Sequence, residues 1–291
     1  MTQPQGRVDF STFSITELSP VEFAAIADYA KSTFGMHLPE AKREMVYARL
    51  IKRLRRVGLS SFSAYLDFVK HQDNDAERSE FLSALTTNVT QFFRESHHFD
   101  FARRAVLPRL IEKARKGQRV RLWSAGCSAG QEPFSLAMEL HALCPQAHEL
   151  NIKILATEID PRILQRAAES IYPNDELKAI PQELRASCTL SADEGNFTIA
   201  QPICALVRFG ELNLIDEWPM QGNFDIIFCR NVAIYFDAPT QSRLWHRFAQ
   251  KLTDDGHLFI GHSERLSGPA AEILKSVGVT VYAKKHPQSP K

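Results

Sequence analysis

The densest chemistry of the sequence lies between Arg119 and Ser135, RVRLWSAGCSAGQEPFS. A β-rich run (Val120, Leu122, Trp123) ends in small residues, a turn bracketed by Gly126 and Gly130 follows, and a helical pattern opens at Glu132. Strand, tight glycine turn and helix make the first βα unit of a nucleotide-binding sheet. The next predicted strand ends in Ala156-Thr157-Glu158-Ile159-Asp160, placing a carboxylate 28 residues beyond Gly130. A carboxylate at that place points to a ligand with a ribose, whose hydroxyls would donate to it.

The turn alone is ambiguous. It is not G-x-G-x-x-G, and it lacks the G-K-[ST] ending of a phosphate-cradling loop. Gly126-Cys127-Ser128-Ala129-Gly130 does match G-x-S-x-G, the nucleophile elbow of α/β-hydrolases. An elbow serine follows several strands, one of which feeds an oxyanion loop, whereas the residues before Arg119 read as helices and no H-G-G-G occurs upstream. His262 and Asp225 could be drafted as partners of Ser128, but nothing in the sequence places them beside it. A plain turn between strand and helix is the remaining reading of this motif.

Three further segments fall where ligands bind in such sheets, beyond the carboxyl ends of strands. They are TTNVTQFFRE (86–95), LNL (212–214) and FCRNVAIYF (228–236). An Asn after a buried strand, with an aromatic four residues on, is a polar handle beside a flat apolar wall. Singly, Asn88 and Asn231 could be caps, Tyr235 and Phe236 core, and Arg94 a surface ion pair. In this order the bland readings no longer hold together.

The elements that must position these residues follow from periodicity. From Arg119 onward, predicted strands at 119–125, 152–158, 206–210, 223–229, 256–262 and 279–284 alternate with helices at 131–143, 161–170, 239–252 and 269–277, after a helix at 97–116. That alternation predicts an α/β fold: a doubly wound, mostly parallel, Rossmann-like sheet covered on both faces. The segment 172–206 breaks the rhythm with Pro173, Pro181, Pro202 and Gly195 and reads as a small β-subdomain insertion. From Leu18 to Leu85 the period is helical, and Ser19-Pro20-Val21-Glu22 is a helix start. The domains predicted are a helical one over 17–86 and a sheet domain over 87–286; residues 1–16 read as a loose tail.

The helix predicted over 39–57 carries an apolar stripe, Val46, Leu50, Leu54 and Val57. Lys42, Arg49, Arg53 and Arg56 lie within about 60° of one another on it, and Lys52 and Arg55 widen the basic face. Residues 1–90 hold 11 Lys+Arg against 11 Asp+Glu, so the positive charge is concentrated on this helix. It is either a solvated face or a dock for an acidic partner.

Composition bounds the rest. The chain has 291 residues, 44% hydrophobic and 24% charged, with net charge +1, so no global field draws it to nucleic acid or membrane. No apolar run approaches the roughly 18 residues of a membrane span, and MTQPQGRVDF lacks the apolar core of a signal peptide. Five cysteines, 127, 144, 188, 204 and 229, with no C-x-x-C, point to neither disulfides nor zinc. A reduced, cytoplasmic, monomeric protein without a metal is expected.

The stretches LTTNVTQFFRE, WSAGCSAGQEPFS, ATEID, FCRNVAIYF and GHSE together resemble the CheR-type chemotaxis receptor methyltransferases, over about Leu18 to Ala283. The resemblance implies transfer of methyl from S-adenosylmethionine to receptor glutamates, giving glutamate methyl esters in sensory adaptation and S-adenosylhomocysteine as product. It implies donor contacts at Asn88, Thr90, Arg94, Glu132, Glu158, Asn213, Leu214, Arg230 and Asn231, with Gly126 in the turn, and places Arg94 and Tyr235 near the reacting methyl. The implied partner is the cytoplasmic helical region of methyl-accepting receptors, and the basic face at Lys42, Arg49, Arg53 and Arg56 would hold its glutamates. This chain has Glu158 where many members have Asp, and Gln131 where many have Glu. Some members bind a receptor C-terminal peptide on the β-subdomain; the short loop 191–196 here, with one glycine, weighs against that docking.

An acceptor glutamate, with a pKa near about 4.3, is already a carboxylate at pH 7, so the reaction needs no general base. The protein must hold oxygen, methyl carbon and sulfur in line at about 3–3.5 Å. Arg94 can orient the incoming carboxylate or bind that of the methionine, and Tyr235 can hydrogen-bond the acceptor or pack at the methyl. The rival readings are a methyltransferase acting on RNA or a small molecule, and a non-catalytic sensor of S-adenosylmethionine. The RNA version would want a basic face with interleaved aromatics, and residues 42–56 hold only Tyr47.

Overall fold

The computed structural model describes residues 17–71, 73–193 and 195–285; the predicted tail at 1–16 lies outside them. The chain divides into two compact units, Met1–Thr87 and Asn88–Lys291.

The first unit is helical. Helix α1 (Pro20–Phe34) starts at a capping box: Ser19 Oγ accepts from the Glu22 amide at 3.3 Å and Glu22 Oε2 from the Ser19 amide at 3.1 Å. A 3₁₀ turn, Glu40–Lys42, leads into α2 (Arg43–Val57), so the helix predicted over 39–57 has a tighter first turn. Helices α3 (Phe62–Lys70) and α4 (Asp75–Leu85) complete the unit. Val46, Leu50 and Leu54 of α2 are fully buried, each contributing about 1.5–3 kcal/mol of apolar burial.

The second unit opens with α5 (His97–Phe101), a π-helical turn over 102–106, and α6 (Leu107–Arg115), where one continuous helix is predicted. Then come β1 (Val120–Ala125), α7 (Gln131–Leu143), β2 (Ile152–Glu158), α8 (Pro161–Glu169) and the insertion. The insertion holds β3 (Ile171–Pro173), α9 (Gln182–Cys188), β4 (Thr189–Ser191), β5 (Asn196–Ile199) and α10 (Gln201–Cys204), its strands forming an antiparallel sheet ordered β3-β5-β4. The chain closes with β6 (Val207–Glu211), β7 (Phe224–Cys229), α11 (Ala238–Lys251), β8 (Leu252–Ile260), α12 (Ala270–Ile273), β9 (Leu274–Gly278) and β10 (Val281–Lys284).

The main sheet runs β6-β2-β1-β7-β8-β10-β9. Its first five strands are parallel and β10 is antiparallel to both neighbours. Side chains alternate between faces: Val120 and Leu122 pack with Leu136 and Leu140 of α7, while Trp123 and Ala125 pack with Trp245 and Phe248 of α11. Helices thus cover both faces. The helix predicted at 269–277 is instead a single helical turn followed by β9. At that sheet edge only Leu274 is buried, so no apolar period marked the strand.

Candidate active site

The site is assembled beyond the carboxyl ends of β1, β2 and β7. Its centre is the turn after β1, where both glycines answer to the backbone and to space. Gly126 has φ +79, and a Cβ there would collide with the Val232 side chain; Gly130 has φ +94, and its Cβ would lie 2.8 Å from the Tyr172 hydroxyl. Between them Ser128, at φ +49, donates its amide to Glu158 Oε2 at 2.9 Å and its hydroxyl to the Asn88 carbonyl at 3.3 Å. Glu158 Oε1 accepts from the amides of Ile159 (2.8 Å) and Asp160 (3.2 Å). Burial pushes the Glu158 carboxyl above its ordinary range, and Asp160 adds to this against those three amides. Asp160 caps α8 and has Oδ2 at 3.4 Å from Asn88 Nδ2. The carboxylate expected to meet a ribose therefore also fixes the turn and the loop before α8.

On the other side of the turn, Glu132 in the first turn of α7 accepts from Ser124 Oγ at 2.6 Å and from Arg230 Nη1 at 3.2 Å. Burial pushes its carboxyl up; Arg230 opposes this. Arg230 Nη2 lies 3.5 Å from Glu95 Oε2 and donates to the Arg94 carbonyl. The guanidinium sits over the rings of Phe99 and Phe228, 5.6 and 5.8 Å from their centroids. Glu95 Oε1 receives His262 Nδ1 at 3.2 Å and Asn231 Nδ2 at 3.5 Å. Burial pulls the Glu95 carboxyl upward, but Arg230 and His262 outweigh it and hold it below the ordinary range.

His98 is fully buried behind this array. Burial, then Arg230 and His97, bring its pKa down to about 3, so the ring is neutral. Its Nε2 lies 2.8 Å from Thr280 Oγ1 and 3.2 Å from the Val279 carbonyl. A carbonyl only accepts, so we assign the proton to Nε2. Nδ1 then presents a lone pair, 3.5 Å from Glu95 Oε2.

Two signs mark this region. Glu95 Oε2, His98 Nδ1, Gln131 Oε1 and Arg230 Nε are buried without a hydrogen bond, unusual for polar atoms out of water. Of six non-glycine residues with positive φ among the described residues, Phe93, Glu95, Ser128 and Asn231 stand here. Each costs on the order of 1–3 kcal/mol, and such strain gathers at functional sites.

Two hydrogen-bonded sets thus flank the turn at Gly126: Asn88 and Glu158 with Ser128 on one side, and Glu132, Arg230, Asn231 and the Arg94 carbonyl on the other. Thr90 is half-buried on the segment between Asn88 and Arg94; Arg94 Nη1 donates to the Val89 carbonyl at 3.0 Å. Tyr235, half-buried, ends the 3₁₀ turn Ala233–Tyr235 that follows Asn231. Asn213 and Leu214 follow β6, whose Glu211 pairs with Glu158. Asn213 Oδ1 accepts from the Ile215 amide at 3.3 Å, and the buried Leu214 offers its carbonyl to Arg247 at 2.8 Å.

The triad around Ser128 is not assembled. Asp225 sits at the opposite end of β7, taken up by Lys113 (2.7 Å) and the Arg121 amide (2.9 Å), and His262 is bonded to Glu95. Sequence reasoning missed Glu95 and Glu264. Glu95 closes the TTNVTQFFRE segment, one residue beyond Arg94. Glu264, 4% exposed, closes GHSE and accepts from the amides of Gly261 (2.6 Å), Val232 (3.1 Å) and Asn231 (3.2 Å). Burial pushes its carboxyl up against those bonds. Glu95, His97 and His98 also bring ligand-type atoms within 4.8 Å of one another, with the Arg230 guanidinium competing for the same carboxylate.

In the helical unit the expected basic face divides. Arg49 spends its guanidinium on the carbonyls of Ala84, Leu85 and Thr86 at 2.8–3.3 Å and on Thr87 Oγ1 at 2.9 Å. Arg53 grips Glu77 at 2.6 and 3.0 Å and Glu80 at 2.8 Å. Both hold the unit together. Lys52, Arg55 and Arg56 are exposed, and Lys42 is half-buried.

Comparison with known proteins identifies the family. Residues 88–283 match the family described as CheR methyltransferase, SAM binding domain, and residues 21–86 match the CheR methyltransferase all-alpha domain. A probable chemotaxis protein methyltransferase of Rhizobium etli is 45% identical over 254 residues, covering 86% of this chain and 95% of that one. The chemotaxis protein methyltransferase of Salmonella typhimurium is 40% identical over 271 residues, covering 91% of each chain, and that of Borreliella burgdorferi is 37% identical over 251 residues, covering 85% of this chain and 89% of that one. With both domains matched, the chain belongs to the CheR methyltransferase family.

Proposed function

We propose that the chain methylates glutamate side chains on the cytoplasmic helical region of chemotaxis receptors, using S-adenosylmethionine. The observation that carries this reading is the buried Glu132–Arg230–Glu95 array beside Glu158, with polar atoms still lacking hydrogen bonds. The donor supplies a methyl group activated on a sulfonium. The residues fit it: Arg230 Nε and Glu95 Oε2 offer an unused donor and an unused acceptor for the charged ends of an amino acid, and Glu158 a carboxylate for a ribose. Asn88, Thr90, Glu132, Asn213, Leu214, Arg230 and Asn231, around the turn at Gly126, would hold the rest.

Arg94 and Tyr235 are the residues we assign to the acceptor side, where they orient its carboxylate and exclude water. No side chain need take a proton, because the acceptor is ionised at neutral pH. The exposed cations of α2 (Lys52, Arg55 and Arg56), with the half-buried Lys42 just before the helix, suit the glutamate-rich helices of such a receptor, with an attraction screened over about 8 Å at physiological ionic strength.

The test uses labelled donor and a receptor cytoplasmic fragment. Label should enter the fragment as a base-labile glutamate ester. A sensor would bind donor and transfer nothing, and calorimetry showing no donor binding by the chain would sink the assignment.

A further inference from the structure

We infer that Glu264 is a positioning residue for the donor: its carboxylate fills a backbone nest at the end of β7 and so sets the aim of Arg230 and Asn231. The inference rests on the proposed donor site. Asn231 is left-handed at φ +59, and Val232 returns to the right-handed region at φ −112, ψ −46. Successive residues of opposite hand turn their amides to one side and make a concavity for an anion. Here the anion is internal. Glu264 Oε2 accepts from Asn231 and Oε1 from Val232, and the amides of Ala233 and Ile234 also favour its charge.

The same carboxylate also bonds its own loop. Oε2 accepts from the Gly261 amide at 2.6 Å, so Glu264 ties the segment leaving β8 to the one leaving β7. Space at the junction is exhausted. A Cβ on Gly261 would lie 2.8 Å from Asn231 Nδ2, 2.9 Å from its amide nitrogen and 2.9 Å from Glu264 Oε2.

A left-handed backbone is milder for asparagine than for most non-glycine residues but still carries a cost on its own. The carboxylate offsets that cost, and its ligands are the residues flanking the Arg230 and Asn231 side chains. Glu264 touches neither donor nor acceptor in this arrangement; it acts through those two residues. The amide of a glutamine keeps the size but turns an acceptor into a donor facing N–H groups.

The experiment measures S-adenosylhomocysteine affinity by calorimetry for wild type, Glu264→Gln, Gly261→Ala and Arg265→Ala, with Tm for each. Arg265 is exposed and bonds the carbonyls of His262 and Glu264, so it reports general loosening of the loop. Wild type should bind; its failure would sink the donor site itself. Glu264→Gln should raise Kd at least tenfold. Gly261→Ala, which keeps the glutamate but wedges a methyl between its carboxylate and Asn231, should do the same, and it carries the test should Glu264→Gln not fold. Arg265→Ala should stay within about twofold of wild type. A wild-type Kd in either site variant overturns the inference, and so does an Arg265→Ala defect as large as theirs.

Discussion

Each unit sets an arginine between two glutamates, and the two arrangements differ in completeness. Arg53 meets Glu77 in a fork at 2.6 and 3.0 Å and Glu80 at 2.8 Å, while Glu77 also accepts from the Tyr65 hydroxyl at 2.7 Å. Arg230 lies 3.2 Å from Glu132 and 3.5 Å from Glu95, with its Nε and Glu95 Oε2 unbonded and residues at positive φ on either side of Arg94. The first set is saturated and holds helices together. The second is buried more deeply, with its arginine side chain 2% exposed against 12%, yet leaves bonds unmade. Identical residue types serve structure where their valences are filled; where they are not, we propose that the donor fills them.

The largest effect should come from the saturated set. Arg53→Ala strands a buried Glu77 and should cost roughly 3–5 kcal/mol, read as a large fall in Tm, while donor affinity measured at low temperature stays near wild type. Arg230→Lys should do the reverse. It keeps the charge but loses the planar fork, so donor Kd should rise about 10- to 100-fold with Tm little changed. Similar donor defects in both variants would break the comparison.

A triple change of Lys52, Arg55 and Arg56 to Glu should raise the receptor KM roughly tenfold and remove its salt dependence. Donor affinity should be unaltered. An unchanged receptor KM would leave α2 with a purely solvated face.

A third buried glutamate sharpens the contrast. Glu139 has only Arg103 at 3.5 Å, and burial, with Asp100 and Glu183, raises its pKa to about 7 from 4.5. The folded state therefore holds a proton that the unfolded state releases. This contribution is complete below about 4.5 and is lost as pH rises through 7. Glu139→Gln should be more stable than wild type at pH 8 by on the order of 1 kcal/mol, or about 2 °C in Tm, with the gap closing toward pH 4. The smallest effect belongs to Ser128→Ala, expected to keep turnover within about threefold; abolished turnover with donor binding intact would revive a nucleophilic serine.

Much of the sheet was legible because each strand announces itself by apolar runs and each connection by a glycine or a cap. The helix from Gln131 to Leu143 begins and ends as its period dictates. Strand β9 was not, because an exposed edge carries no apolar alternation, and the π turn at 102–106 leaves no mark in the apolar spacing. At the site, Glu158 and Asn231 could be singled out because one ends a strand and the other stands just past one. Glu95 could not, since it joins the array through a left-handed backbone that no side-chain pattern predicts. On α2, Arg53 stands only about 20° from Val46 at 100° per residue. That nearness to the buried stripe is why it turned inward to Glu77, and only the more distant Lys52, Arg55 and Arg56 remain outside.

The bonds from His98 to Val279 and Thr280 span 181 and 182 positions of sequence. They tie the first helix of the sheet unit, behind the Glu95–Arg230 array, to the turn between its last two strands. During synthesis, which runs from the amino end, the wall of the site cannot be braced until residue 280 has left the ribosome. The glycine turn, Glu158 and Arg230 can all exist before then, but behind them the imidazole would face water instead of its partners. Bracing of this wall thus requires the turn between β9 and β10 to be in place.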